Sequence, residues 1–193
     1  MIEKSAVILS GGKNTRMNYK TKAFLEYKGN TFIERTLDAI SDYEEKIISC
    51  NDVEKYKEFK DKALIVLDHF KEIGPIGGIY SSLKESKFQY CLVIASDMPF
   101  LNKEVLNYLG NYDFHNDALI PVVDGRIQPL CGIYKKDILS TIEKMISEKD
   151  YRIKNLLCNI DTKYINIDDY TCETVKSTFE IPEYKFCRLK KNK

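Results

Sequence analysis

Residues 5–17 read SAVILSGGKNTRM, a short apolar run that stops at two glycines and is followed at once by basic side chains. A run of strand length closed by glycine reads as a buried β-strand. Glycines directly after such a strand let backbone N–H groups approach an anion that side chains would hold away. Gly11 and Gly12 occupy those positions, and Arg16 and Lys22 could neutralise the anion. The same pattern also describes an ordinary strand-to-helix turn with solvated basic residues. It is neither the P-loop G-x-x-x-x-G-K-[ST] nor the dinucleotide G-x-G-x-x-G.

Four further apolar runs follow: Lys46 to Ser49 (KIIS), Ala63 to Leu67 (ALIVL), Tyr90 to Ala95 (YCLVIA) and Ala118 to Val122 (ALIPV). Most are rich in β-branched residues and suit strands buried on both faces. Between them lie segments of helical period. Phe32, Ile33, Thr36, Leu37 and Ile40 share one face, with Thr31 and Glu34 spaced as a capping box; Ile138, Leu139, Ile142, Met145 and Ile146 repeat the pattern later. Alternating strand and helix predicts an α/β domain with an open, mainly parallel sheet and ligands outside the carboxyl ends of its strands. Asp124-Gly125 between two apolar runs signals a tight hairpin, so the sheet should be mixed. YINI (Tyr164 to Ile167) reads as a last strand before a final helix.

The chain has 193 residues, enough for one well-packed domain, here taken as residues 1–193 with a basic tail, KFCRLKKNK, fraying from about 185. Thirty Lys and Arg against 29 Asp and Glu give no basis for a nucleic-acid partner. The opening MIEKSAVILS fits neither a secretory signal nor a membrane span, so a cytoplasmic protein with no membrane partner is expected. Cys50, Cys91, Cys131, Cys158, Cys172 and Cys187 stand far apart without a C-x-x-C pair, which reads as reduced thiols rather than a zinc site or disulfide framework. With only His69 and His115, a catalytic histidine has few candidates.

Three loops after strands could carry chemistry. In IASDMPFL, Asp97 follows its strand within two residues; it could hold Mg²⁺, cap a turn, or do both. In KEIGPIGGIYSSL, Gly74, Gly77 and Gly78 surround Pro75 as a small, flexible wall before a helix-like run, suited to close packing of a base or phosphate chain and equally to a plain loop. Asn51 and Asp68, each just beyond a predicted strand, could bond a base or ribose or simply be turn residues.

In order and spacing LSGGKNTRM with Lys22, GPIGG, ASDMPFL, IQPLCGIY and YINID resemble the molybdenum-cofactor guanylyltransferases, over nearly the whole chain to about residue 180. The resemblance implies a Rossmann-like three-layer sandwich of the nucleotide-diphospho-sugar transferase type. It implies that Leu9, Ser10 and Gly11 line a guanine nucleotide, that Lys22 binds its phosphates, that Asn51 and Asp68 contact the base or ribose side, and that Asp97 is the Mg²⁺ ligand; Gly12 and Arg16, read from the loop itself, would join Lys22 at the phosphates. The chain departs from the family at Asn18 and Thr21, where relatives carry Gly and Asp, and at Asp168, where they carry Asn; Asp168 could be a metal ligand or a turn residue. The implied reaction transfers GMP from GTP to the phosphate of molybdenum-molybdopterin, with transient contacts to other molybdenum-cofactor biosynthesis or acceptor proteins. Two alternatives stay open: a cytidylyltransferase or sugar/polyol-phosphate nucleotidyltransferase, and a non-catalytic nucleotide-binding or delivery protein. Gln128 and Pro129 could face the acceptor, while Leu130, Cys131 and Ile133 read as core.

Overall fold

The computed structural model describes residues 1–11, 22–98 and 100–167. The chain runs β1 (Ile2–Leu9), a 3-10 turn at Lys22–Phe24, β2 (Glu26–Tyr27), β3 (Asn30–Thr31), α1 (Phe32–Ala39), β4 (Tyr43–Cys50), a 3-10 segment Val53–Phe59 and β5 (Leu64–Leu67). It continues through α2 (Pro75–Glu85), β6 (Tyr90–Ala95), α3 (Lys103–Asn111), β7 (Ala118–Val123), β8 (Arg126–Ile127), β9 (Cys131–Lys135), α4 (Leu139–Ser147), α5 (Ile153–Asn159) and β10 (Thr162–Asn166). Each predicted strand is present, several with longer bounds. The predicted final helix and the basic tail lie outside the described residues.

The main sheet has the order β10-β7-β9-β6-β1-β4-β5, with β8 hairpinned onto β7. Neighbours pair in parallel except where β9 enters between β6 and β7, and at the β7–β8 hairpin. The sheet is therefore mixed and mostly parallel, as expected. Asp124 and Gly125 take φ of 47° and 71°, the doubly positive pattern of a two-residue hairpin turn.

Side chains alternate between two cores. Ile8, Ile48, Leu92 and Ile94 face the layer that holds α1 and α3, while Val7, Ile47, Cys91 and Val93 face α2, α4 and α5. Burial on both faces explains why these strands read as continuous apolar runs. α1 buries the face predicted for it, and Thr31 and Glu34 form the capping box. β5 differs from expectation: Leu64 and Leu67 are each 47% exposed, because β5 is the sheet's edge.

The strand order reverses between β1 and β6: the chain steps outward from β1 through β4 to β5, then returns to the other flank of β1. Their carboxyl ends thus flank a topological switch point, where open α/β sheets bind ligands.

Candidate active site

Pairing continues one residue past the strand ends and fixes the loops there. The Ser10 N–H donates to Ser49 O (2.8 Å), Ser96 N–H to Leu9 O (3.1 Å) and Asp68 N–H to Cys50 O (2.9 Å). These bonds set Ser10, Ser49, Asp68 and Ser96 along one rim. A cavity of about 220 Å³ opens above it, bounded by Leu9, Ser10 and Gly11 on one side, Asp68 and Ser49 beneath, and Lys22 and Asp97 at the mouth.

Of the residues singled out from sequence, Leu9, Ser10, Gly11, Lys22, Asp68 and Asp97 meet at this cavity. Asn51 stands beside it, its side-chain amide donating to the carbonyl of Gly11. Gly12, Arg16 and Asp168 lie outside the described residues. Lys22, in the Lys22–Phe24 turn, donates from Nζ to Asp97 Oδ2 at 2.9 Å across 75 positions of sequence, with both side chains partly exposed. Cation and carboxylate therefore face the same space.

The floor is tightly built. Ser49 Oγ donates to Asp68 Oδ1, and a Cβ at Gly11 would run into the Asp68 carboxylate. At Gly78 a Cβ would lie 2.7 Å from Ser49 Oγ and 2.9 Å from Leu9 Cδ2. Gly77 and Gly78 lie inside α2, whose first residue is Pro75, so the glycine wall expected from sequence is a helix start. Proline is favoured at a first helical position, and here the glycines serve close packing rather than a flexible loop, Gly78 against Leu9 of β1 and Ser49 of β4, Gly77 against the Phe70 carbonyl and Ile73. Burial pushes the Asp68 carboxyl above its usual range, against the opposing pull of the Ser49 hydrogen bond and of His69.

Ser49 and Tyr56 went unnoticed in the sequence. Ser49 stood inside an apolar strand with nothing local to mark it, and Tyr56, whose hydroxyl is 2.6 Å from Ser10 Oγ, belongs to a polar, lysine-rich segment. The acceptor candidates Gln128 and Pro129 do not line the cavity, Gln128 Nε2 donating to Arg126 O at 3.4 Å and Pro129 O accepting from the Tyr134 hydroxyl at 2.7 Å; of the residues read as core, Cys131 and Ile133 are buried in β9 and Leu130 lines the cavity. Among the described residues no group of three or more His, Cys, Asp or Glu could hold a metal ion, and no helix is long and apolar enough to cross a membrane.

A Rossmann-like sheet whose switch point carries a cavity lined by a lysine paired with a carboxylate, and by the glycine that leaves β1, has the make-up of a nucleotidyltransferase. The chain belongs to the MobA-like NTP transferase domain family, whose model matches residues 6–162. It is 51% identical over 155 residues to a Clostridium perfringens protein named "probable molybdenum cofactor guanylyltransferase", covering 80% of this chain and 77% of the relative. A protein of the same name from Halalkalibacterium halodurans is 30% identical over 185 residues, 92% of each chain. In structure the chain resembles molybdopterin-guanine dinucleotide biosynthesis protein A from Archaeoglobus fulgidus, with a TM-score of 0.78, 24% identity and 97% of each chain covered. It also resembles 2-C-methyl-D-erythritol 4-phosphate cytidylyltransferase from Thermus thermophilus, with a TM-score of 0.64, 16% identity, and 97% and 96% covered. Those two likenesses speak for the fold; the family resemblance read from the motifs holds.

Proposed function

We propose that this protein transfers GMP from GTP to the terminal phosphate of molybdenum-molybdopterin, forming molybdopterin guanine dinucleotide and pyrophosphate in the cytoplasm. An acceptor phosphate oxygen forms the new bond to the α-phosphorus, the bond from that phosphorus to the β-phosphate bridge breaks, and pyrophosphate leaves with the electron pair. A phosphate monoester has a second pKa of about 6, so the attacking oxygen is already ionised near neutral pH. No histidine or other general base is required, and the task left to the enzyme is alignment and charge stabilisation.

The observation that carries this reading is the facing of Lys22 and Asp97 at the mouth of the cavity. An exposed ion pair of this kind is worth at most about 1 kcal/mol, so a triphosphate with its cation can separate the two groups at little cost. Lys22 then holds phosphate oxygens, together with Arg16 and the N–H of Gly11. Asp97 suits Mg²⁺, because that ion is commonly bound through one or two carboxylates with substrate phosphates completing its shell, rather than by a cage of protein ligands. When bound, Mg²⁺ would neutralise charge developing on the phosphates. Asp68, with Asn51, faces the nucleoside; a carboxylate there accepts hydrogen bonds from the N1–H and 2-amino groups of guanine, which cytosine does not present in that arrangement.

Calorimetric titration of GTP and CTP with Mg²⁺ into wild type, Asp97→Ala and Lys22→Ala tests the reading. GTP should bind at least tenfold more tightly than CTP, Asp97→Ala should lose the Mg²⁺-dependent part of the affinity, and Lys22→Ala should weaken GTP at least tenfold. Preference for CTP would move the protein to a cytidylyl reaction, and unchanged binding by both variants would remove Lys22 and Asp97 from the site.

A further inference from the structure

Tyr56 does not line the cavity, yet it touches both sides of it. Its hydroxyl shares a 2.6 Å hydrogen bond with Ser10 Oγ, on the first residue beyond β1. Its ring lies 5.1 Å from that of Phe24, the last residue of the turn that begins with Lys22. Phe24 also meets Phe59, 6.4 Å away, so the Val53–Phe59 segment presents two rings to that turn. Tyr56 itself is 1% exposed and belongs to the core on the α1 side, together with Ala23 of the same turn.

We propose that Tyr56 is a positioning residue for the nucleotide phosphates: one rigid side chain sets the separation between the end of β1 at Ser10 and the ammonium-bearing turn at Lys22. The inference rests on the cavity being the GTP site. Ser10 and the Lys22–Phe24 turn flank the stretch that follows β1, and among the described residues β1 pairs with β4 and β6 but not with that turn. Tyr56 joins the two segments through side chains, by its hydroxyl to Ser10 and by its ring to Phe24. A tyrosine has only two side-chain torsions, so a buried one transmits position with little play. Burial also pushes its hydroxyl up to about 12, which keeps the proton in place at neutral pH and the bond to Ser10 intact. Groups already held where the phosphates will lie cost less to order on binding, so a spacer of this kind raises affinity without touching the ligand.

The test is a double-variant cycle on Tyr56→Phe, which keeps the ring and removes the hydroxyl, and Ser10→Ala, which removes its partner. Each protein, kept below its melting temperature, is titrated with GTP and Mg²⁺ and then assayed for turnover. Each single variant should bind GTP about fivefold to tenfold more weakly, and the double variant no worse than about twofold beyond the weaker single. KM for GTP should rise by the same factor with kcat within about twofold, because the spacing matters equally before and during transfer. A residue that only supported the fold would lower the melting temperature and leave affinity and KM unchanged. Unchanged GTP affinity in Tyr56→Phe, or losses that multiply in the double variant, would overturn the positioning role. Failure of wild type itself to bind GTP would instead overturn the nucleotide-site reading and this inference with it. Should Tyr56→Phe be too unstable to titrate, Ser10→Ala breaks the same bond from the other side, and unchanged affinity there overturns the proposal.

Discussion

Asp68 shows how a residue that lines the cavity can cost stability. Its carboxyl is buried and titrates above its ordinary range. Between the unfolded pKa of about 3.9 and the raised folded one, the folded state binds more protons than the unfolded state, so stability falls as pH rises through that window. At neutral pH the folded protein carries the whole cost. Asp68→Asn keeps an acceptor for Ser49 and removes the charge; its melting temperature at pH 7 should equal or exceed that of wild type, with the advantage vanishing below about pH 4. The same variant should weaken GTP at least tenfold. A lower melting temperature at pH 7 together with unchanged affinity would contradict both assignments. The thiols follow the same physics: burial pushes Cys50 and Cys91 up to about 11 and Cys131 up to about 12, whereas Cys158 is exposed. Peptide-resolved iodoacetamide labelling of native protein should modify Cys158 and spare those three, because the thiolate is the reactive form. Cys91 and Cys131 could be assigned to the core from their apolar neighbours; Ser49 could not be linked to Asp68, because their contact spans 19 positions and depends on β4 pairing with β5.

At the scale of elements, α2 is where local pattern and tertiary packing diverge. Its first turn, PIGG, has the composition of a loop, yet it forms helix: proline suits the first position, and the glycines answer tertiary packing, Gly78 lying against β1 and β4 and Gly77 against Phe70 and Ile73. Gly78→Ala would gain about 1 kcal/mol of helix propensity and incur about 1–3 kcal/mol of overpacking against Ser49 and Leu9. A net loss near 1 kcal/mol is expected, visible as a melting temperature lower by roughly 2–4 °C, with GTP affinity falling because the Ser49–Asp68 floor is displaced. A rise in melting temperature would mean that the neighbours yield freely. β5 taught a related lesson: ALIVL reads as a strand covered on both sides, but no apolar run reveals which strand ends at an edge, and Leu64 and Leu67 are left half exposed there. By contrast α1 was legible in full, since its cap and its apolar face are both local.

For the whole molecule, alternation of strand and helix was enough to give an α/β sheet and to direct attention to the loops after strands. The order of the strands was not legible, because it depends on which non-local pairs form. That order nevertheless makes the site: with β1 between β4 and β6, residues as distant as Lys22, Asp68 and Asp97 meet at one cavity. A ligand that bridges so many elements should stabilise all of them together. At GTP concentrations of 100 times its dissociation constant, with Mg²⁺, unfolding should cost about 2.7 kcal/mol more, a rise in melting temperature of roughly 5–10 °C; the same concentration of CTP should give a smaller rise. The most direct test of the central claim is release of pyrophosphate from GTP, followed with Mg²⁺ in the presence and absence of molybdenum-molybdopterin. The account predicts release that requires both Mg²⁺ and the acceptor, is faster with GTP than with CTP, and is lost in Asp97→Ala. Release that is faster with CTP, or none from GTP when acceptor and Mg²⁺ are both present, would contradict it.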